Sequence, residues 1–367
     1  MVGDSENPEI ELPPVPFKDY KWLKDRSDTD YKWLRERLER TEIDRDRCHK
    51  DYQWLEARCQ ALESDRDHWR RRAEIEPRFP QFFEEFRLDA KTNVNTPEGY
   101  WTNFLGLRVR CDMFPNAGRL SGRYISDLPY SGDGVYGPEA EYSTMLYAIK
   151  AKKNRARYSA IELGAAFGPW ISAAGVVCKR LGFGRIDLVG VEGDPAKADL
   201  MAEHLSNNGL SEGTVNSKVL RGAAWHEDGA VYFPKVEIHD YGGAATSVKS
   251  EIDHRGVPAD VQAVRAYSLE TVCEGLETID YAHWDVAGAE WEIALKSKRL
   301  LNERFRYLFI GTHNRKIEGD LLELFHGMHW NLLRHDPCVY KYDASKSNLT
   351  AMTQNDGCMF FENPAIQ

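Results

Sequence analysis

Ile161-Glu162-Leu163-Gly164-Ala165-Ala166-Phe167-Gly168-Pro169-Trp170 decides how this chain folds. The residues before it, Tyr158-Ser159-Ala160-Ile161, mix small and apolar side chains and predict a strand entering a buried sheet. The strand should end near Glu162, give way to a tight glycine turn, and continue as a helix through Ile171-Ser172-Ala173-Ala174-Gly175-Val176-Val177-Cys178. The small residues of that helix let it lie close on a sheet. Strand, glycine turn and helix open a nucleotide-type βαβ unit, in which amides at a helix N-terminus meet a ligand.

Downstream the pattern repeats. Arg185 to Glu192 is a second strand ending in an acid, and Asp194-Pro195 begins a helix to about Asn208, with Asp194 as its N-cap. Val215 to Leu220 gives a third strand ending at Gly222-Ala223-Ala224-Trp225, and 227–267 form a hairpin-like excursion with a mobile-looking Tyr241-Gly242-Gly243. Strands then resume at Tyr281–Val286 and Tyr307–His313, the latter leading into a helix through Leu321, Leu324 and Phe325. Alternation of this kind over 158–330 predicts an α/β fold with a parallel, doubly wound sheet.

Upstream, the first 17 residues are rich in proline and acids and read as a disordered tail. Asp19-Tyr20-Lys21-Trp22-Leu23 then returns at Asp30 and, as Asp51-Tyr52-Gln53-Trp54-Leu55, at Asp51. From Leu34 the series Leu38, Thr41, Arg45, Cys48, Tyr52, Leu55, Cys59, Leu62, Arg66, Trp69, Ala73 alternates steps of four and three, an a/d seam over a helix spanning 18–76. Arg45 and Arg66 on the seam specify register, and the expected state is a parallel dimer or trimer; a solvated single helix laced with charge pairs is the alternative. The forty-odd residues of the seam would extend roughly 60 Å as a helix. Pro77 and Pro80 close it, and the aromatic, glycine-rich segment 77–155 reads as a linker or lid subdomain with a closing helix through Tyr142, Met145, Leu146 and Ile149.

A net charge of −10 argues against a general nucleic-acid binder. No apolar run approaches the ~20 residues of a membrane span and the N-terminus lacks signal-peptide order, so a cytoplasmic location is expected. The seven cysteines are scattered without a C-x-x-C pair, which suggests neither a disulfide framework nor a zinc site.

Over about 139–361 the chain resembles the FkbM family of S-adenosylmethionine-dependent O-methyltransferases. The resemblance is carried by an ordered set: Glu162-x-Gly164-x-x-x-Gly168, Glu192-Gly193-Asp194-Pro195, Asn207-Asn208, Ala223-Ala224, Tyr267 to Val272, Asp285-Val286-Ala287-Gly288-Ala289-Glu290, and Gly311-Thr312-His313. A bare glycine turn equally opens a dinucleotide-binding domain, but here Ala166 replaces the middle glycine of that fingerprint. The resemblance implies a Rossmann-like seven-stranded methyltransferase domain over 156–362. It implies cofactor contacts from Glu162, Gly164, Ala165, Gly168, Glu192, Gly193, Asp194, Ala223, Ala224 and Asp285, with Glu192 on the ribose hydroxyls.

For the two alanines, core packing is as good an account as contact. Catalysis would fall to His313 as general base, with Asp285 and Glu290 orienting it or the acceptor; a purely structural histidine is the alternative. His283, inside its strand, reads as structural. Two positions depart from the family, which usually has Glu where Ala287 and Gly311 stand, and no metal ligand set is assigned. The expected activity is methyl transfer to a hydroxyl of a sugar or glycan, with self-association through the arm and glycan-assembly enzymes as partners. A methyltransferase for small secondary metabolites and a non-catalytic scaffold are the rival readings.

Overall fold

The computed structural model describes residues 79–366 apart from 90–93, 115–116, 128–138, 251–257 and 347, together with residues 32, 35 and 36. Two compact units divide the chain, Met1–Glu85 and Phe86–Gln367. In the first, Lys32, Arg35 and Glu36 are helical and α1 (Phe79–Phe86) runs up to the boundary. The rest of the expected coiled coil, and the tail before it, lie outside the described residues.

The second unit begins with a small sheet. Its strand β1 (Tyr100–Thr102) pairs antiparallel with β2 (Arg108–Arg110) and parallel with β3 (Arg123–Tyr124). Asn103 makes the tight turn between β1 and β2, its Oδ1 accepting from the amides of Leu105 and Leu107 at 3.0 Å each. Helix α2 (Glu139–Ala151) follows, within the same compact unit as the large sheet.

The chain then alternates as its periodicity requires: β4 (Arg157–Leu163), α3 (Pro169–Arg180), β5 (Arg185–Glu192), α4 (Pro195–Asn207) and β6 (Val215–Arg221). A side sheet, β7 (Ala223–Ala224), β8 (Gly229–Pro234) and β9 (Val261–Tyr267), forms the expected excursion, β8 and β9 pairing antiparallel. After α5 (Leu269–Val272) come β10 (Tyr281–Trp284), α6 (Glu290–Lys296), α7 (Lys298–Arg304), β11 (Tyr307–Thr312), α8 (Arg315–Gly327) and β12 (Asn331–Asp336). The small pair β13 (Val339–Tyr340) and β14 (Thr353–Asn355) precedes β15 (Gly357–Glu362).

The large sheet has seven strands in the order β12-β15-β11-β10-β4-β5-β6. It corrects the wholly parallel expectation, because β15 runs antiparallel to both β11 and β12. The α/β, doubly wound character holds, and the sheet is mixed. Strand order reverses between β4 and β10, and in open α/β sheets the crevice outside the strand ends at such a point is where ligands bind.

Strands β4 and β5 are buried on both faces, the reason their sequences read as near-continuous apolar runs. Ile161, Leu163, Val189, Val191, Trp284, Leu308 and Ile310 share one core with Ile293, Leu301, Leu321 and Phe325 from the helices. Close approach of α3 to the sheet depends on Gly175, where a Cβ would stand 2.8 Å from Leu188. No helix among the described residues is long and apolar enough to cross a membrane.

Candidate functional site

The turn after β4 is fixed by its neighbours. Gly164 has φ 70°, and a Cβ there would fall 1.8 Å from the carbonyl oxygen of Asp285, so only glycine fits where β4 and β10 meet. Ala166 also adopts a left-handed backbone, φ 47°, which alanine tolerates at a cost. Its amide points at Glu192 Oε2, 2.7 Å away, while Glu192 Oε1 accepts from the Asp194 amide at 2.7 Å. Burial pushes the Glu192 carboxyl up, against the pull of those two amides and Lys197. The result is a carboxylate locked in orientation at the end of β5.

Glu162 plays a different part. It is buried under the start of α3, where Oε2 accepts from the amides of Trp170 (3.1 Å) and Ile171 (2.8 Å) and so supplies the cap that Gly168 cannot. Its carboxyl is held well above the usual range by burial and, after the opposing Ile171 amide, by the nearby Glu141. Gly168, at φ 71°, is the N-cap of α3 and lies against Met201; Ala165 is fully buried and donates to Val191 O; Asp194 caps α4 through the amides of Ala196 and Lys197. These four positions shape the turn and do not line the crevice.

The crevice itself is bordered by Gly164, Ala166, Glu192, Gly193, Ala223, Ala224 and Asp285. Side chains from the β8–β9 excursion complete it, with Phe233 lying against Gly193 and Gly243, and Tyr241 at the mouth. Tyr241 donates to Met113 O (2.7 Å), its ring is 5.0 Å from the Lys197 ammonium, and Lys197 also donates to the Asp240 carbonyl. Burial pushes the Tyr241 hydroxyl up to about 12, so it stays a donor. The enclosed volume is about 40 Å³, against the roughly 300–1,000 Å³ of small-molecule sites. Tyr241 and Gly243 of the expected excursion thus lie on the Glu192 side.

On the other side, the parallel register of β10 with β11 sets Trp284 opposite Ile310 and so brings Asp285 beside Gly311. A Cβ at position 311 would stand in ordinary contact with Asp285 Oδ1, 3.4 Å away. His313 spans two acids: Nδ1 lies 2.8 Å from Glu290 Oε1 and Nε2 lies 3.1 Å from Asp285 Oδ1. Glu290 is fully buried and also accepts from the Gly288 amide, at 3.1 and 2.9 Å, across a turn in which Ala287 has φ 48°. Asp285, by contrast, has 48% of its side chain exposed to the crevice.

The three residues named as catalytic thus stand together. Burial alone would depress the His313 pKa, but the charge of Glu290 and the hydrogen bonds to both acids carry it well above the usual range. The Asp285 carboxyl, opposed by burial, is nonetheless held below its usual range by His313. Each group thus favours the charged form of the other, His313 raised and Asp285 lowered by the same contact.

Asp356, between β14 and β15, went unnoticed in the sequence; burial and the charges of Asp285 and Glu290 push its carboxyl up, offset in part by His313. Arg315, two residues beyond His313, pairs with Glu318 at 3.1 Å. His283 is buried, hydrogen-bonded to Glu141 (3.1 Å) and stacked on Phe309, as a structural histidine should be. Among the described residues no group of three or more His, Cys, Asp or Glu side chains is arranged to hold a metal ion.

No known protein-family profile matches the chain. A protein of Jannaschia sp. (strain CCS1), named "Putative methyltransferase", is 25% identical over 272 residues, 73% of this chain and 94% of that protein. Among solved structures, precorrin-6y C5,15-methyltransferase from Geobacter metallireducens GS-15 is 10% identical over 63% of this chain and 91% of its own, with a TM-score of 0.34. The N-terminal domain of human METTL16 in complex with SAH is 9% identical, over 61% and 69%, with a TM-score of 0.32. The chain is similar, over nearly the full length of the Jannaschia protein, to a protein named as a methyltransferase.

Proposed function

We propose that this protein is an S-adenosylmethionine-dependent methyltransferase whose acceptor is a hydroxyl of a sugar or glycan. The observation that carries the reading is that the Glu192-edged crevice and the Glu290-His313-Asp285 cluster open on one another at the strand ends where the sheet order reverses. The residues suit such a donor. Each oxygen of Glu192 gives one direction to a backbone amide and keeps another for a ribose hydroxyl. Gly193, Ala223 and Ala224 leave a small-residue slot for a flat ring.

S-adenosylmethionine, when bound, supplies an electrophilic methyl carbon. The chain has to align the acceptor oxygen with it and receive one proton. An oxygen that is taking up a methyl group becomes a strong acid, so a carboxylate suffices to receive its proton. Asp285, ionised and open to the crevice, takes that role in preference to His313. His313 keeps it aimed and ionised, and Glu290 fixes the imidazolium from the buried side. Tyr241, which lines the crevice, packs with Phe114 and Phe167 in one aromatic cluster, and an aromatic ring suits the apolar face of a sugar. The arm at 18–76 would join copies of the chain as a dimer or trimer and space them from glycan-assembly partners in the cytoplasm.

Titration calorimetry with S-adenosylmethionine, followed by transfer of a labelled methyl group onto nucleotide-sugars and oligosaccharides, tests the reading. Saturable binding and label on a hydroxyl oxygen are expected. No heat of binding at millimolar donor would sink it.

A further inference from the structure

At the other end of α4 lies a second, larger cleft of about 550 Å³, within the roughly 300–1,000 Å³ of small-molecule sites. It is lined by Arg108 from β2, Lys179 and Arg180 from the end of α3, and the polar side chains of Asn95, Thr102 and Asn207. Among the described residues no aspartate or glutamate lines it. Lys197 borders the first crevice and Asn207 this one, ten residues apart on the same helix, which places them roughly 15 Å apart along its axis.

The bonding of the three cations is unusual for a chain of net charge −10. Each meets only neutral carbonyl oxygens. Lys179 Nζ donates to Gly209 O (2.7 Å), Arg108 Nη1 to Asn207 O (3.3 Å), and Arg180 to Leu105 O (3.0 Å) and Phe86 O. None of the three pairs with a carboxylate among the described residues, and the buried Nε of Arg108 has no acceptor at all. A lysine has three donors and an arginine five, so most of the N–H groups gathered here are unshared. At the end of α4, where bare carbonyls would repel an anion, Arg108 already bonds the carbonyl of Asn207 and Lys179 that of Gly209 just beyond it.

A concave site with several convergent cations, spare donors and no counter-charge suits an oxyanion, and forked guanidinium donors suit phosphate oxygens in particular. We propose that this cleft is a binding site for a phosphate-bearing ligand, separate from the crevice at the strand ends. It stands or falls independently of the methyltransferase reading, because its test is a binding measurement.

The experiment is titration calorimetry of the full chain with inorganic pyrophosphate and with inorganic phosphate, at low ionic strength. Saturable one-to-one binding is expected. Lys179→Gln and Arg108→Gln should each weaken it by about tenfold, the ~1.4 kcal/mol of one lost charge-assisted contact. Lys179→Arg, which keeps the charge, should restore it, and Lys197→Gln in the first crevice should leave it unchanged. Tighter binding of pyrophosphate than phosphate would mark a diphosphate group as the natural occupant, and equal binding a single phosphate. The proposal is overturned by no saturable heat at millimolar anion, by loss of binding in Lys197→Gln alone, or by binding that Lys179→Gln and Arg108→Gln leave intact while their thermal unfolding matches that of the unaltered chain.

Discussion

At the ends of β4 and β5, polar contacts run from backbone amides to a single carboxylate: Ala166 and Asp194 to Glu192, with Gly164 wedged against Asp285 O. At the ends of β10 and β11 they run between side chains, Glu290 to His313 to Asp285, and three charges fix one another. The first arrangement is rigid because φ angles and a glycine admit no other. The second depends on charge state and therefore on pH. One side is built to hold, the other to respond.

Replacing Asp285 by Asn separates the two most sharply. Under the proposed function kcat should fall by ~10²–10⁴, the usual share of a positioned proton acceptor, while donor affinity measured by calorimetry changes little. A matching loss of affinity would show that both sides serve the donor.

The next effect in size is on the other side. Glu192→Ala should weaken the donor ~10–100-fold, as expected for hydrogen bonds to a charged group worth ~1.5–3 kcal/mol, with kcat kept at saturating donor. A drop in kcat alone would argue that Glu192 aligns the reaction instead of holding the donor.

His313→Gln probes the response to pH. Since His313 holds the Asp285 carboxyl below its usual range, its removal lets that pKa rise, and the acidic limb of the kcat profile should move to higher pH. If His313 were the base, the variant would lose an ionisation lying well above 6.5 and its residual rate would be flat there. An acidic limb that stays in place removes the proposed coupling.

The smallest change concerns the mouth of the crevice. Tyr241→Phe deletes the hydrogen bond to Met113 O, worth ~0.5–1.5 kcal/mol, and should favour the open crevice, so that the donor binds a few-fold more tightly. Stopped-flow fluorescence would register this as faster association. Slower association would mean that the tyrosine contacts the donor directly.

The rigid side was the more legible in the sequence, and for a physical reason. Gly164, Gly168 and the Asp194-Pro195 start of α4 report local backbone geometry, which neighbouring residues determine. The same holds for β4, β5 and β6, whose boundaries fall within a residue or two of the strands expected. The resemblance to a known family named His313, Asp285 and Glu290, but their charge states follow from a register between strands and from burial, which no local pattern encodes. Tyr241 and Asp356 come from loops distant in sequence, and the antiparallel β15 enters the sheet only through its partners. Ala166 and Ala287 take left-handed angles that their side chains would not suggest.

The position of β15 also bears on how the chain reaches this state. Strands β11 and β12 are joined by one helix, yet they never pair with each other, and Gly357–Glu362 must slide between them, setting Thr312 against Gly357. Without it, β11 and β12 would each present an unpaired edge, the kind of surface on which chains stick together. Closing such distant contacts is slow. Gly357–Glu362 is thus the element that ties β12 into the sheet, far in sequence from the glycine turn that opens it.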